Sequence, residues 1–176
     1  MKNIFIFIAC LLLTACQVQT EPQSIQVPMS IATTTGAGEA VGTVTITQTP
    51  YGLLFTPDLK NLQPGLHGFH IHENPSCEPL AKDNVMNAAL AAGGHFDPKH
   101  TGKHEGPFGN GHLGDLPGLY VDSAGMAQTP VLAPRLTTLK EISHTALMIH
   151  VGGDNYSDHP HPLGGGGVRL VCGIID

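Results

Sequence analysis

Gly65-Leu66-His67-Gly68-Phe69-His70-Ile71-His72-Glu73 brings three imidazoles within six residues. In an extended chain successive side chains alternate between faces, so His70 and His72 share one face while Phe69 and Ile71 share the other. The stretch therefore reads as a strand with one apolar face and one face carrying two ligands on a rigid edge. His67 is out of phase with the pair and is expected to be a hydrogen-bonding strut rather than a third ligand. Two coplanar imidazoles would equally suit buried, hydrogen-bonded histidines, so further ligands must come from elsewhere in the chain.

Outward from this strand the sequence is β in character. Residues 25–33 and 40–49 are rich in β-branched side chains, with Gly36-Ala37-Gly38 as the turn between them. Residues 51–56 follow, then the turn signals Pro57-Asp58 and Pro64-Gly65. Segments 66–72, 118–121, 127–132, 145–151 and 168–172 complete eight short strands without a convincing amphipathic helix. This predicts an all-β fold: an eight-stranded Greek-key barrel (immunoglobulin-like sandwich) with two long functional loops. Residues 81–92 support at most a helical turn, stopped by Gly93-Gly94. The long connections are 74–117 and 152–167, the second ending in Gly164-Gly165-Gly166-Gly167. Connections of this length in a compact domain call for a function, and these hold most of the remaining histidines.

The N-terminus pairs Lys2 with an apolar run over residues 4–13 and ends in Thr14-Ala15-Cys16. We read residues 1–15 as a signal peptide, too short to span a bilayer comfortably. Leu13-Thr14-Ala15-Cys16 resembles a bacterial lipobox, so Cys16 is expected to become the lipidated first mature residue. Gln17 is compatible with sorting to the outer membrane. Residues 16–24 form a flexible tether and 25–176 one folded domain in the periplasm. Cleavage leaves 7 basic against 14 acidic side chains, a formal charge of −7. That balance excludes a nucleic-acid binder, which needs a basic footprint. With Cys16 assigned to lipid, Cys77 and Cys172 remain as an even pair in an oxidising compartment and are expected to form a disulfide. Closing so long a loop is worth roughly 4–5 kcal/mol on the chain-entropy account.

The first long connection holds Gly93-Gly94-His95-Phe96-Asp97-Pro98, then His104, His112 and Asp115. In His112-Leu113-Gly114-Asp115 the glycine lets imidazole and carboxylate converge. With His95 and His104 they give three nitrogens and one oxygen, a donor set suited to tetrahedral zinc. His70, His72 and distant His150 need a fourth donor, and an imidazole-rich set suits copper. Spacing alone leaves open whether His95 serves both sets.

Gly65 to Glu73, Gly93-Gly94-His95-Phe96-Asp97-Pro98, Gly111-His112-Leu113-Gly114-Asp115, Met148-Ile149-His150 and Gly167-Val168-Arg169-Leu170-Val171-Cys172-Gly173 closely resemble the bacterial periplasmic copper-zinc superoxide dismutases. The resemblance runs over essentially the whole domain, with order and intervals intact. It implies one copper at His70, His72, His95 and His150, and one zinc at His95, His104, His112 and Asp115. His95 would bridge the two as an imidazolate when copper is oxidised and take up a proton when copper is reduced. His67 matches the family's structural histidine, Arg169 its active-site arginine, and Asp154 its aspartate linking a copper histidine to a zinc histidine, here His70 and His104.

The implied reaction converts superoxide, as substrate, to dioxygen and hydrogen peroxide, protecting the cell envelope from oxidative damage. The alternative, a copper-binding or copper-delivery module, explains the histidines and export but has less need of a zinc set, a bridge or Arg169. Because −7 repels an anion on average, local positive charge must override it, with Lys60 and Lys140 as candidates beside Arg169. Arg135 has no comparably specific claim and Asp158 reads as solubilising. His100 and His144 read as surface residues, and His159 and His161 as exposed loop residues. For assembly the expectation is a homodimer.

Overall fold

The structure, a computed structural model, describes residues 23–176. The signal peptide, most of the tether and Cys16 lie outside the described residues. The chain enters at β1 (Ser24–Thr33) and runs through β2 (Gly36–Thr49) and β3 (Gly52–Leu59) as successive antiparallel hairpins. Then come β4 (Gly65–His67), β5 (Phe69–His72), β6 (Leu80–Lys82), β7 (Val85–Asn87), β8 (Leu119–Val121), β9 (Val131–Ala133), β10 (Thr145–His150) and β11 (Arg169–Ile175).

A seven-stranded sheet in the order β5-β10-β11-β1-β2-β3-β9 and the pair β4-β8 curl around one core as a Greek-key β-barrel. Val44, Ile46, Leu53, Phe55, Phe69, Ile71, Leu119 and Leu147 fill it, all essentially inaccessible to solvent. Phe55 and Phe69 meet edge to face with ring centroids 5.8 Å apart, a favoured aromatic geometry.

The strand expected over 66–72 is two strands, because the chain changes partners at Gly68. β4 pairs with β8 and β5 with β10, while Gly68 itself donates to Gly152 O and accepts from His150 N, at and just beyond the end of β10. Counted as one, β4 and β5 restore the eight barrel strands. The strand expected over 127–132 is shorter than its reading. β9 covers only Val131–Ala133, and Ala127 meets Leu59 in an isolated bridge.

Residues 81–92 are not a simple helical turn. β6 and β7 form an exposed hairpin through Asp83 and Asn84, both at positive φ, and a 3-10 turn at Leu90–Ala92 follows. This connection lies across the outside of the barrel, where Ala89, Ala92, Ala146, Met148 and Cys172 form a second, smaller core. Cys77 and Cys172 are bonded there with their Cα atoms 5.8 Å apart. Strand β10 is consequently buried on both faces, and its imidazole-bearing end lies under cover.

Candidate metal centre

All four side chains of β5 are buried, and the pairing of β5 with β10 brings His70, His72 and His150 to the same outward face. The free edge of β5 is occupied by the first long connection. Phe96 N donates to Ile71 O, Ile71 N to Gly114 O and Glu73 N to Gly94 O, at 2.8, 2.9 and 3.0 Å. Isolated bridges follow, His72 to His95 and His70 to Asp115. Only glycine fits at position 114, since a Cβ there would lie 2.3 Å from Ile71 O. The turn that joins His112 to Asp115 is thereby pressed onto the strand that carries the other histidines.

Two four-residue groups result among the described residues, His70, His72, His95 and His150, and His95, His104, His112 and Asp115, with ligand atoms within 4.8 Å of one another in each; a three-residue group, His70, His104 and Asp154, joins them. Every member is buried and His95 belongs to both. The resident protons show what the groups can hold. His72 Nδ1 donates to Gly93 O at 2.9 Å and His150 Nδ1 to Gly167 O at 3.0 Å. Carbonyls only accept, so both protons sit on Nδ1. The two Nε2 atoms therefore face each other at 3.3 Å, lone pair against lone pair, an arrangement that a metal cation held by both satisfies.

His70 Nδ1, His95 Nε2, His104 Nδ1 and His112 Nδ1 are buried without any hydrogen-bond partner. Orphaned buried nitrogens are costly, and here they converge on the same two points. Asp115 Oδ1 lies 2.9, 3.0 and 3.5 Å from Nδ1 of His95, His104 and His112. A tetrahedron with zinc–ligand bonds of about 2.0–2.2 Å has edges of roughly 3.3–3.6 Å, so this set is close to closing on the ion. The set made of imidazole alone suits copper.

Asp154 links the two groups. Its Oδ2 accepts from His70 Nε2 and its Oδ1 from His104 Nε2, both at 2.7 Å, and the carboxylate has no solvent exposure. The tetraglycine is packed onto it: a Cβ at Gly164 would lie 1.9 Å from Asp154 Oδ1. His67 is buried, with Nδ1 2.7 Å from His150 O and Nε2 2.8 Å from Gln63 O, so it spans from the end of β10 to the loop before β4 rather than joining a metal set.

Burial, with neighbouring imidazoles, pushes His72 well down, His95 to about 4 and His150 to about 3, leaving their rings neutral and ready to ligate. Against the opposing effect of burial, Asp115 and Asp154 lift His104 to about 9. Both carboxyls are held well below the usual range; burial opposes this, but their histidine partners outweigh it.

Arg169 opens β11 opposite His150 in the sheet. Its guanidinium donates to Ala89 O and to Gly93 O, the same carbonyl that receives His72. It lines a cavity of about 370 Å³ together with His72, His95, His150 and Lys82. Lys82, on the unforeseen hairpin, is the lysine at this cavity; Lys60 and Lys140 do not line it. Asp158 is more than a solubilising acid, because it accepts from His104 N at 2.9 Å and from Leu163 N at 3.2 Å, tying the two long connections together. His100, His144, His159 and His161 are exposed and belong to neither group.

Residues 40–175 match the family model for copper/zinc superoxide dismutase (SODC). The chain is 57% identical over 168 residues to superoxide dismutase (Cu-Zn) 2 of Salmonella typhimurium, covering 96% of each chain. It is 55% identical to superoxide dismutase (Cu-Zn) of Escherichia coli K12, over 96% of this chain and 95% of the relative. Among solved structures, Cu/Zn superoxide dismutase from Brucella abortus superposes with a TM-score of 0.86 at 54% identity, over 88% of this chain and 100% of that one. The solution structure of the monomeric copper, zinc superoxide dismutase from Salmonella enterica gives 0.80 at 60% identity, over the same shares.

The raised His104 sets a pH dependence. Its folded value of about 9 exceeds the ordinary 6.5, so in the metal-free protein its stabilising contribution is complete below about 6.5 and lost as pH rises through 9. Zinc must displace that proton. Apparent zinc affinity of the metal-free protein is expected to climb about tenfold per pH unit from 7 towards 9, with close to one proton released per zinc at pH 7.5. Titration calorimetry in buffers of different ionisation enthalpy checks this; zinc binding with no proton release at pH 7.5 refutes it.

Proposed function

The chain belongs to the copper/zinc superoxide dismutase family, oxidoreductases that convert superoxide to dioxygen and hydrogen peroxide, and we propose that it does so with copper held by His70, His72, His95 and His150 and zinc by His95, His104, His112 and Asp115. The observation that carries this reading is the convergence of bare, buried ring nitrogens on two points sharing the His95 ring. Copper held there would supply the one-electron redox chemistry that dismutation of superoxide to dioxygen and hydrogen peroxide needs.

The remaining work falls to this chain's side chains. His95 turns Nδ1 towards Asp115 and the second set and Nε2 towards the imidazole set, so Nε2 is the atom at which a proton is held and handed on. Asp154 orients one ring from each set at once. Arg169, held by two carbonyls, offers the cavity a fixed cation that orients superoxide and offsets its charge, and Lys82 adds a second positive charge. A copper-delivery module would need the imidazole set but not the carboxylate-bridged second set or a cation fixed at the cavity.

The proposal extends to location. Residues 1–15 are read as a cleaved signal, 16–24 as a tether from lipidated Cys16, and 25–176 as the enzyme domain in the periplasm, attached to the outer membrane. In support, the relatives are bacterial and the Thr14-Ala15-Cys16 ending follows an apolar run. The homodimer is supported by Leu66 and Tyr120, which are register partners on β4 and β8 and are 52% and 54% exposed. The Salmonella enterica protein is described as monomeric.

Three measurements test these readings. Arg169→Ala should retain both metals and lose about tenfold or more of the dismutation rate, the equivalent of about 1.4 kcal/mol. Raising ionic strength should slow the parent more than the variant; equal rates at low salt and equal metal content would remove Arg169 from the mechanism. Cys16→Ala should release folded protein from the membrane fraction and abolish fatty-acid labelling, whereas an unlabelled, soluble parent rejects the anchor. Sedimentation velocity should show a dimer fraction that grows with concentration and disappears in Leu66→Glu; a monomer at every concentration rejects the homodimer.

A further inference from the structure

Arg135 has no part in the cavity, yet its guanidinium is used almost completely. Nε donates to Pro107 O at 3.0 Å, Nη1 to Gly111 O at 3.0 Å, and Nη2 to Gly106 O at 3.1 Å and to His112 O. All four carbonyls belong to the irregular segment between His104 and His112, and all four residues are buried. No backbone N–H among the described residues reaches Gly106 O, Pro107 O or Gly111 O. A buried carbonyl needs a donor, and one planar guanidinium supplies four of them at once.

The base of the side chain is firm. Ala133 pairs with Leu53 on β3, Leu53 N donates to Leu136 O at 2.9 Å, and Leu136 is fully buried in the core. Arg135 therefore fastens the segment to the barrel wall.

His112 is the ligand that needs such a device. His70 and His104 are oriented by Asp154, His95 by Asp115, and His72 and His150 by carbonyls. Among the described residues the His112 ring has no hydrogen bond, and its Nδ1 lies furthest from Asp115 Oδ1, at 3.5 Å. The chain can fix this imidazole only through its backbone, where His112 N donates to Lys103 O at 2.8 Å and His112 O accepts from Asp115 N at 3.4 Å and, more closely, from Arg135.

We propose that Arg135 is a positioning residue for the second metal set: its guanidinium, gripping the carbonyls of residues 106–112, holds His112 where it completes the zinc site. This rests on the assignment of zinc to His95, His104, His112 and Asp115. Lysine cannot substitute, because an ammonium is a point charge without the planar fork that meets several carbonyls together.

The test uses the full metallated protein with Arg135→Lys and Arg135→Met, the second preserving bulk if the site collapses around a smaller residue. Zinc transfer to a chromogenic chelator is timed, and Co(II) is placed in the second set to read its geometry from its visible bands. The copper spectrum and the thermal unfolding of the metal-free forms are followed alongside. Expected are zinc release about 10–100-fold faster in both variants, the scale on which orienting partners of metal ligands act. The tetrahedral Co(II) bands should weaken, while the copper spectrum and the unfolding of the metal-free forms change little. Parent-like release and Co(II) bands in both variants overturn the proposal. So does full rescue by lysine, or loss of both metals in step with a collapse of the metal-free fold. A parent whose Co(II) is not tetrahedral removes the zinc assignment itself, and this proposal with it.

Discussion

The antiparallel pairing of β5 with β10 is the constraint on which the rest of the molecule depends. Its register sets Met148 beside His70 and Ile149 beside Phe69. Phe69, Ile71, Leu147 and Ile149 thereby enter the barrel core, and His70, His72 and His150 stand on the opposite face. Because side chains alternate with a period of two, a slip of one residue would exchange the faces, sending imidazoles into the core and phenylalanine outward. The hydrophobic effect that fixes the core thus also fixes ligand spacing to within a strand's tolerance. The long connections need only bring His95, His104, His112 and Asp115 to an edge that already exists.

That economy has a cost in burial. The outer face of β5 and β10 would ordinarily meet water, and here it is covered by chain bonded through Cys77 and Cys172 and by the glycine-rich second connection. Covering it strips water from nitrogens that have no protein partner. The metal-free fold carries that penalty, and metal removes it, so metal binding and stability draw on the same free energy. Asp115 and Asp154 supply the negative charge that offsets two divalent ions in a dry site, as buried charges require.

Much of this was legible in the chain. The histidine-bearing strand announces itself by alternation, the strands near the N-terminus by their β-branched content, and the partner ending in Met148-Ile149-His150 by an unbroken apolar run and the family resemblance. What escaped has no periodic signature. The β6–β7 hairpin consists of exposed residues with no buried face; its one signal was Asp83-Asn84, two residues tolerant of positive φ in a two-residue turn. The break at Gly68 is a change of partner, visible only once both partners are known. Lys82, Asp158 and Arg135 are ordinary charged residues in sequence, and their importance lies in carbonyls, amides and a cavity contributed largely by distant segments, as with Asp158 and His104 N, 54 residues apart. The spacing of histidines left open whether His95 joins both sets; its membership of both groups follows from the bridge to His72 and the contact with Asp115.

The carbonyl of Gly93 receives both the His72 ring and the Arg169 guanidinium. A single peptide group therefore holds the His72 imidazole with one lone pair and the Arg169 guanidinium with the other, and it sits on the connection stapled to β11 through Cys77 and Cys172. A chain in which that staple is open slackens both at once. Competence is thereby tied to the redox conditions under which the chain folds: reducing conditions leave the guanidinium and the imidazole loose together, and formation of the disulfide fastens both in one event.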